Sequence, residues 1–181
     1  TGKRPYTDEQ RAILQGVYDA TLADLDAATS ALLDALEAAG ALENTVVVIT
    51  SDHGEQLGEH GLYRHNRTLY DTLVRVPQII HHPTLRPRRV AGPVSTAQLF
   101  ATLAEMTGLP MPQAPQVMRD SLLRPGGAVF TECTEPVGTP KSGDPEHLWR
   151  SSRAVVSGTW KLIQSDDGTV ELYDRSVDPM E

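Results

Sequence analysis

Residues that could do chemistry crowd into one short stretch: Asp52, His53, Glu55, Glu59, His60 and His65. Carboxylates offer oxygen donors and imidazoles offer nitrogen donors, so Asp52-His53 can present one of each to a divalent cation. Adjacent side chains diverge less where a chain leaves a strand and begins to turn than they do in mid-strand. The same pair also suits a solvated loop whose aspartate caps a turn, and these residues alone leave both readings open. Glu55 and Glu59 read as loop groups or as supports behind the ligands. His81 and His82 follow a strand and read mainly as structural. Arg86-Pro87-Arg88-Arg89 reads as a solvated loop, and Cys133 as a small apolar residue of the interior.

The elements that must position this stretch are legible on either side of it. Val46-Val47-Val48-Ile49-Thr50 is a continuous β-branched run, which predicts a strand covered on both faces as in a parallel sheet. Polar residues just past the carboxyl end of such a strand occupy the usual ligand position of open α/β sheets. Upstream, Thr7 with Gln10 forms a capping box. Apolar residues then recur at helical spacing through Leu14, Val17, Leu25, Ala28, Leu32 and Leu36, and Gly40 supplies the stop. A long amphipathic helix over 8–39 is expected.

Downstream, Leu69 to Leu73 reads as a short helix and Val76 to Ile80 as a second buried strand, with Pro77 near its beginning. Ser95 or Thr96 caps a helix over 97–106 that closes at Gly108 and Pro110. A proline-rich connection fills 110–127. Four short β-like segments follow, at 128–132, 152–157, 159–164 and 170–173. Asp166-Asp167-Gly168 is a hairpin signal between the last two. The boundaries expected are an α/β domain over 1–127 and a small antiparallel β subdomain over 128–181.

Composition narrows the function classes. The 181 residues hold 16 Lys and Arg against 24 Asp and Glu, a net charge of −8. That argues against nucleic acid, whose backbone needs a basic face. No apolar run approaches the roughly 20 residues that span a bilayer. The single cysteine excludes an internal disulfide and any multi-cysteine zinc site. Compartment is not fixed by these features.

The stretch from Asn44 to Pro77 resembles the sulfatase branch of the alkaline-phosphatase superfamily. The matching pieces are Thr50-Ser51-Asp52-His53-Gly54-Glu55, Leu57-Gly58-Glu59-His60-Gly61, Leu69-Tyr70-Asp71 and Arg75-Val76-Pro77. The long preceding helix, the helix over 94–109 and the ending Gly158-Thr159-Trp160-Lys161-Leu162 with Glu171-Leu172-Tyr173-Asp174 are similar to the same family. The resemblance implies part of a three-layer α/β/α sandwich with a small C-terminal antiparallel β subdomain.

By that resemblance Asp52 matches a metal-ligand aspartate and His53 the adjacent ligand. His65 stands where many sulfatases carry a lysine that touches the sulfate and the leaving-group oxygen. A histidine there is similar to other relatives, including phosphoethanolamine transferases, where it contacts phosphate. His65 is thus implied to bind the transferred group and to assist departure, as an imidazole near neutrality can. Glu55 and His60 are implied to stand behind the ligands.

The family's nucleophile motif, Cys or Ser-x-Pro-x-Arg, does not fit Cys133, which is followed by Thr134, Glu135 and Pro136. The chain is therefore expected to be the C-terminal portion of a metal-dependent hydrolase, inactive alone and with an open sheet edge. The reaction implied is sulfate-ester cleavage through a covalent intermediate, with the nucleophile upstream. Phosphoryl hydrolysis or transfer is the alternative, and a fragment acting only in assembly is the third possibility. Calcium is implied by the family, whereas an imidazole ligand suits zinc or manganese better than calcium; magnesium also stays open. The partners expected are a small sulfate or phosphate ester and a second copy or an N-terminal half of the same enzyme.

Overall fold

The computed structural model describes residues 6–65, 67–111, 120–134 and 150–181. The middle of the proline-rich connection, 112–119, lies outside these residues, as do Glu135 and Pro136. The chain divides into two compact units, Thr1–Asn66 with Arg75–Arg86 and Arg67–Val74 with Pro87–Glu181.

The first unit opens with α1, Asp8–Ala38. Its start is the expected capping box: Gln10 N–H donates to the Thr7 hydroxyl, and Thr7 N–H donates to the Gln10 side chain. Gly40, at φ 68°, takes the left-handed conformation just past the end. The expected apolar burial does not occur among the described residues. Ile13, Val17, Leu25 and Leu32 are largely exposed, and no residue of α1 is buried. Helical spacing specifies a stripe but not what covers it.

The β-branched run forms β1, Val47–Thr50, and the second apolar run forms β4, Gln78–His81, just after Pro77. The parallel arrangement expected for them is corrected: they pair antiparallel, with Val48 opposite Ile80 and Thr50 opposite Gln78. Both strands are half-buried rather than enclosed. A β-branched run specifies extended backbone, but strand direction depends on the connection. Between them, the stretch expected to be loop contains a short hairpin, β2 (Gln56–Leu57) and β3 (Tyr63–Arg64).

In the second unit, α2 (Asp71–Val74) carries the expected short helix. Next comes α3, Leu99–Thr107, entered through a Ser95–Gln98 capping box and closed by Gly108 at φ 69°. Strands β5 (Val129–Cys133), β6 (Ser152–Ser157), β7 (Trp160–Ser165) and β8 (Val170–Asp174) form the expected antiparallel sheet in chain order. Alternation puts Ala154, Val156, Lys161, Ile163 and Ser165 inward. Leu69, Ala154 and Ile163 form a core cluster, with Tyr70, Val74, Cys133 and Tyr173 packed against it. Cys133 is a half-buried free thiol, and burial pushes its pKa up. Among the described residues every fully buried apolar side chain belongs to this second unit.

Candidate functional site

The chemistry-bearing residues leave β1 at its carboxyl end. Ser51 comes first, and its hydroxyl donates to the His53 carbonyl at 2.7 Å. That bond folds the chain back on itself and keeps Asp52 and His53 on one turn. The His53 amide N–H donates to Asp52 Oδ1 at 2.9 Å, which holds the Asp52 carboxyl below the usual carboxylate range. One carboxylate oxygen is thereby committed to the turn, and Oδ2 faces the His53 ring, 3.8 Å from Nε2.

His53 is oriented from its other side. Its Nδ1 lies 2.8 Å from the Gly54 carbonyl oxygen. A carbonyl only accepts, so Nδ1 carries the proton and Nε2 keeps a lone pair. Metal-ligating histidines are commonly held in this way, by a carbonyl on the nitrogen opposite the ligating one. Asp52 Oδ2 and His53 Nε2 therefore fit as two donors to one cation. Both side chains are open, 87 % and 48 % exposed. Among the described residues no third His, Cys, Asp or Glu completes a metal-holding group with them.

The hairpin brings His65 to the same place. Gln56 pairs with Arg64 and Leu57 with Tyr63, so Glu55 and His65 face each other across the hairpin's mouth. His65 Nδ1 is 3.2 Å from Glu55 Oε2, and the His65 ring stacks on His53 with centroids 4.9 Å apart. The turn is built by Glu59, whose carboxylate accepts from the Leu57 N–H at 2.7 Å, and by backbone at positive φ. Gly58 has φ 132°, and a Cβ there would come within 3.0 Å of Arg11 Cδ and 3.3 Å of the Tyr63 hydroxyl. His60 sits at φ 53° at the hairpin tip, away from the mouth.

Asp52, His53, Glu55 and His65 are thus brought together, and His60 is placed in the turn. His81 ends β4, and His82 bonds the Thr84 hydroxyl at 2.7 Å in the loop that follows. The sequence reading missed Ser51 and the hairpin. Their signals were a hydroxyl directly before Asp52 and the spacing of Gly58 and Gly61.

Known proteins carry the same arrangement of chain. The sulfatase profile matches residues 2–109. Arylsulfatase K of Bos taurus is 28 % identical over 190 aligned residues, covering 100 % of this chain and 34 % of its own length. The phosphonate monoester hydrolase of Agrobacterium radiobacter superposes with a TM-score of 0.79 at 25 % identity, over 97 % of this chain and 38 % of that one. A protein solved in complex with its substrate D-glucosamine-2-N,6-O-disulfate gives 0.66 at 26 % identity, over 89 % and 34 %. The chain spans about a third of the length of the relatives it matches. Its fold is the one these structures share, as the motif from Asn44 to Pro77 led one to expect.

Proposed function

Since this chain belongs to the sulfatase family of the alkaline-phosphatase superfamily, we propose that it carries part of the catalytic centre of a metal-dependent sulfate-ester hydrolase. The observation that supports this reading most is the pair of donors, Asp52 Oδ2 and His53 Nε2, 3.8 Å apart with a second imidazole, His65, stacked on the first. A divalent cation held there would draw charge from the ester's non-bridging oxygens. Calcium is the first choice by family and zinc, manganese or magnesium the others; remaining ligands would come from groups beyond the described residues.

In this reading Asp52 and His53 hold the cation, and His65 meets the transferred group. With Nδ1 turned to Glu55, the Nε2 of a His65 ring protonated on both nitrogens is the atom that would donate to a sulfate oxygen or pass its proton to the leaving oxygen. Cleavage would pass through a covalent enzyme ester; its nucleophile is assigned to no residue of this chain. The substrate proposed is a small sulfate ester. A second reading, phosphoryl or phosphonyl hydrolysis, draws on the histidine at position 65 and on the similarity to a phosphonate monoester hydrolase.

The two readings separate in the native, full-length protein with 4-nitrophenyl sulfate and 4-nitrophenyl phosphate as paired substrates. Sulfate turnover is expected to exceed phosphate turnover, and the reverse would favour the second reading. His65→Ala should lower turnover about 100-fold with metal content unchanged. Loss of metal in that variant would make His65 a ligand.

A further inference from the structure

We infer that Glu55 is the positioning residue for His65: its carboxylate holds the His65 proton on Nδ1 and so turns Nε2 toward the transferred group. This inference rests on the reading of His65 as the contact to that group.

The placement follows from hairpin register and not from side-chain chance. Residues flanking a two-strand pairing stand opposite one another, so pairing of Gln56 with Arg64 puts Glu55 beside His65. Arg64, at φ 68°, bends the chain as it leaves β3. The resulting contact is 3.2 Å, from Glu55 Oε2 to His65 Nδ1. An ionised carboxylate accepts and cannot donate, so the proton of a neutral His65 ring is held on Nδ1.

A single hydrogen bond leaves an imidazole free to swivel about it. The stack on His53, with ring planes 29° apart, opposes that swivel. His53 is in turn held by the Gly54 carbonyl. The ring of His65 is therefore held along its edge by Glu55 and across its face by His53. Glu55 is the more enclosed member of its pair, with a side chain 26 % exposed against 64 % for His65. The anchor is thus set into the protein, and the group it aims is open to an incoming ester.

Nitrogen-15 NMR of the imidazoles in the full chain, with metals removed by chelator, tests this without any assay of turnover. Neutral His65 is expected to show a protonated Nδ1 and a bare Nε2. Glu55→Ala is expected to shift His65 toward the Nε2-protonated form that predominates in a free histidine side chain, while the His53 signals hold. Glu55→Gln, whose amide oxygen still accepts, is expected to keep the wild-type pattern. A wild-type His65 protonated on Nε2, or a pattern unmoved in Glu55→Ala, would overturn the inference. So would loss of Mn²⁺ binding in Glu55→Ala, which would make Glu55 a ligand. An absence of sulfate-ester turnover in the native protein would instead count against the functional reading and leave the tautomer result standing.

Discussion

Lys161 has no solvent exposure, yet it carries an ammonium group. Alternation along β7 turns it inward, where its Nζ reaches Asp71 Oδ1 at 2.8 Å and Glu181 Oε2 at 2.9 Å. Arg175 adds a second cation 2.9 Å from the other Asp71 oxygen. Burial pushes the Asp71 pKa up, but the bond and charge of Lys161, joined by Arg175, outweigh it and hold the carboxyl below its usual range. Burial is the larger effect at Glu181, whose pKa is raised. The charges ties α2 to the sheet of the same unit. Removing one member of a buried ion cluster strands the others, which costs about 3–5 kcal/mol. Lys161→Met is expected to destabilise the second unit by an amount in that range, measured by urea denaturation with tryptophan fluorescence. A loss below about 1 kcal/mol, the scale of an exposed pair, would show that the cluster is not enclosed.

Elements differ in how far local signals specify them. The β7–β8 turn was readable, because Asp166-Asp167-Gly168 supplies turn chemistry that acts within a few residues. Gly168 takes φ 87°, and Asp167 accepts from the Thr169 N–H at 2.8 Å and from Arg150 at 2.6 Å. The Thr169 bonds first, then Arg150, lower the Asp167 pKa to about 2. A carboxylate depressed below its usual 3.8 stabilises the folded form above that pH, and the contribution is lost as pH falls through about 2. A carbon-13 NMR titration of the Asp167 carboxyl should give a midpoint near that value, rising in Arg150→Ala. A midpoint at the ordinary value would remove the turn's acid sensitivity.

Signals of longer range were less complete. The capping box of α1 was legible because it is decided by two residues three apart. The cover on Val17, Leu25 and Leu32 depends on other segments, and spacing cannot report it. Val47–Ile49 announced a strand, but its antiparallel partner β4 is set by the connection between them. The β2–β3 hairpin was hidden because its strands are two residues each, too short for alternation to show. That hairpin is what brings His65 to Glu55, so the members of the candidate site were visible in sequence while their meeting was not.

At the scale of the whole molecule, family membership and a shared fold join a chain of net charge −8 to sulfatases that are about three times its length. Among the described residues no helix is long and apolar enough to cross a membrane. Much of the acidic surplus is spread over α1, but Asp52 and Glu55 stand where a bound cation would offset them. Asp52 is proposed to help hold a cation on which ester cleavage depends. That dependence is tested most directly by hydrolysis of 4-nitrophenyl sulfate by the native, full-length protein before chelation, after chelation and after metal is returned. Turnover is expected to disappear with the metal and to return with it in the wild type, and in Asp52→Ala to stay absent throughout. Turnover indifferent to chelation, or retained in Asp52→Ala, would show that cleavage depends on no cation held by Asp52.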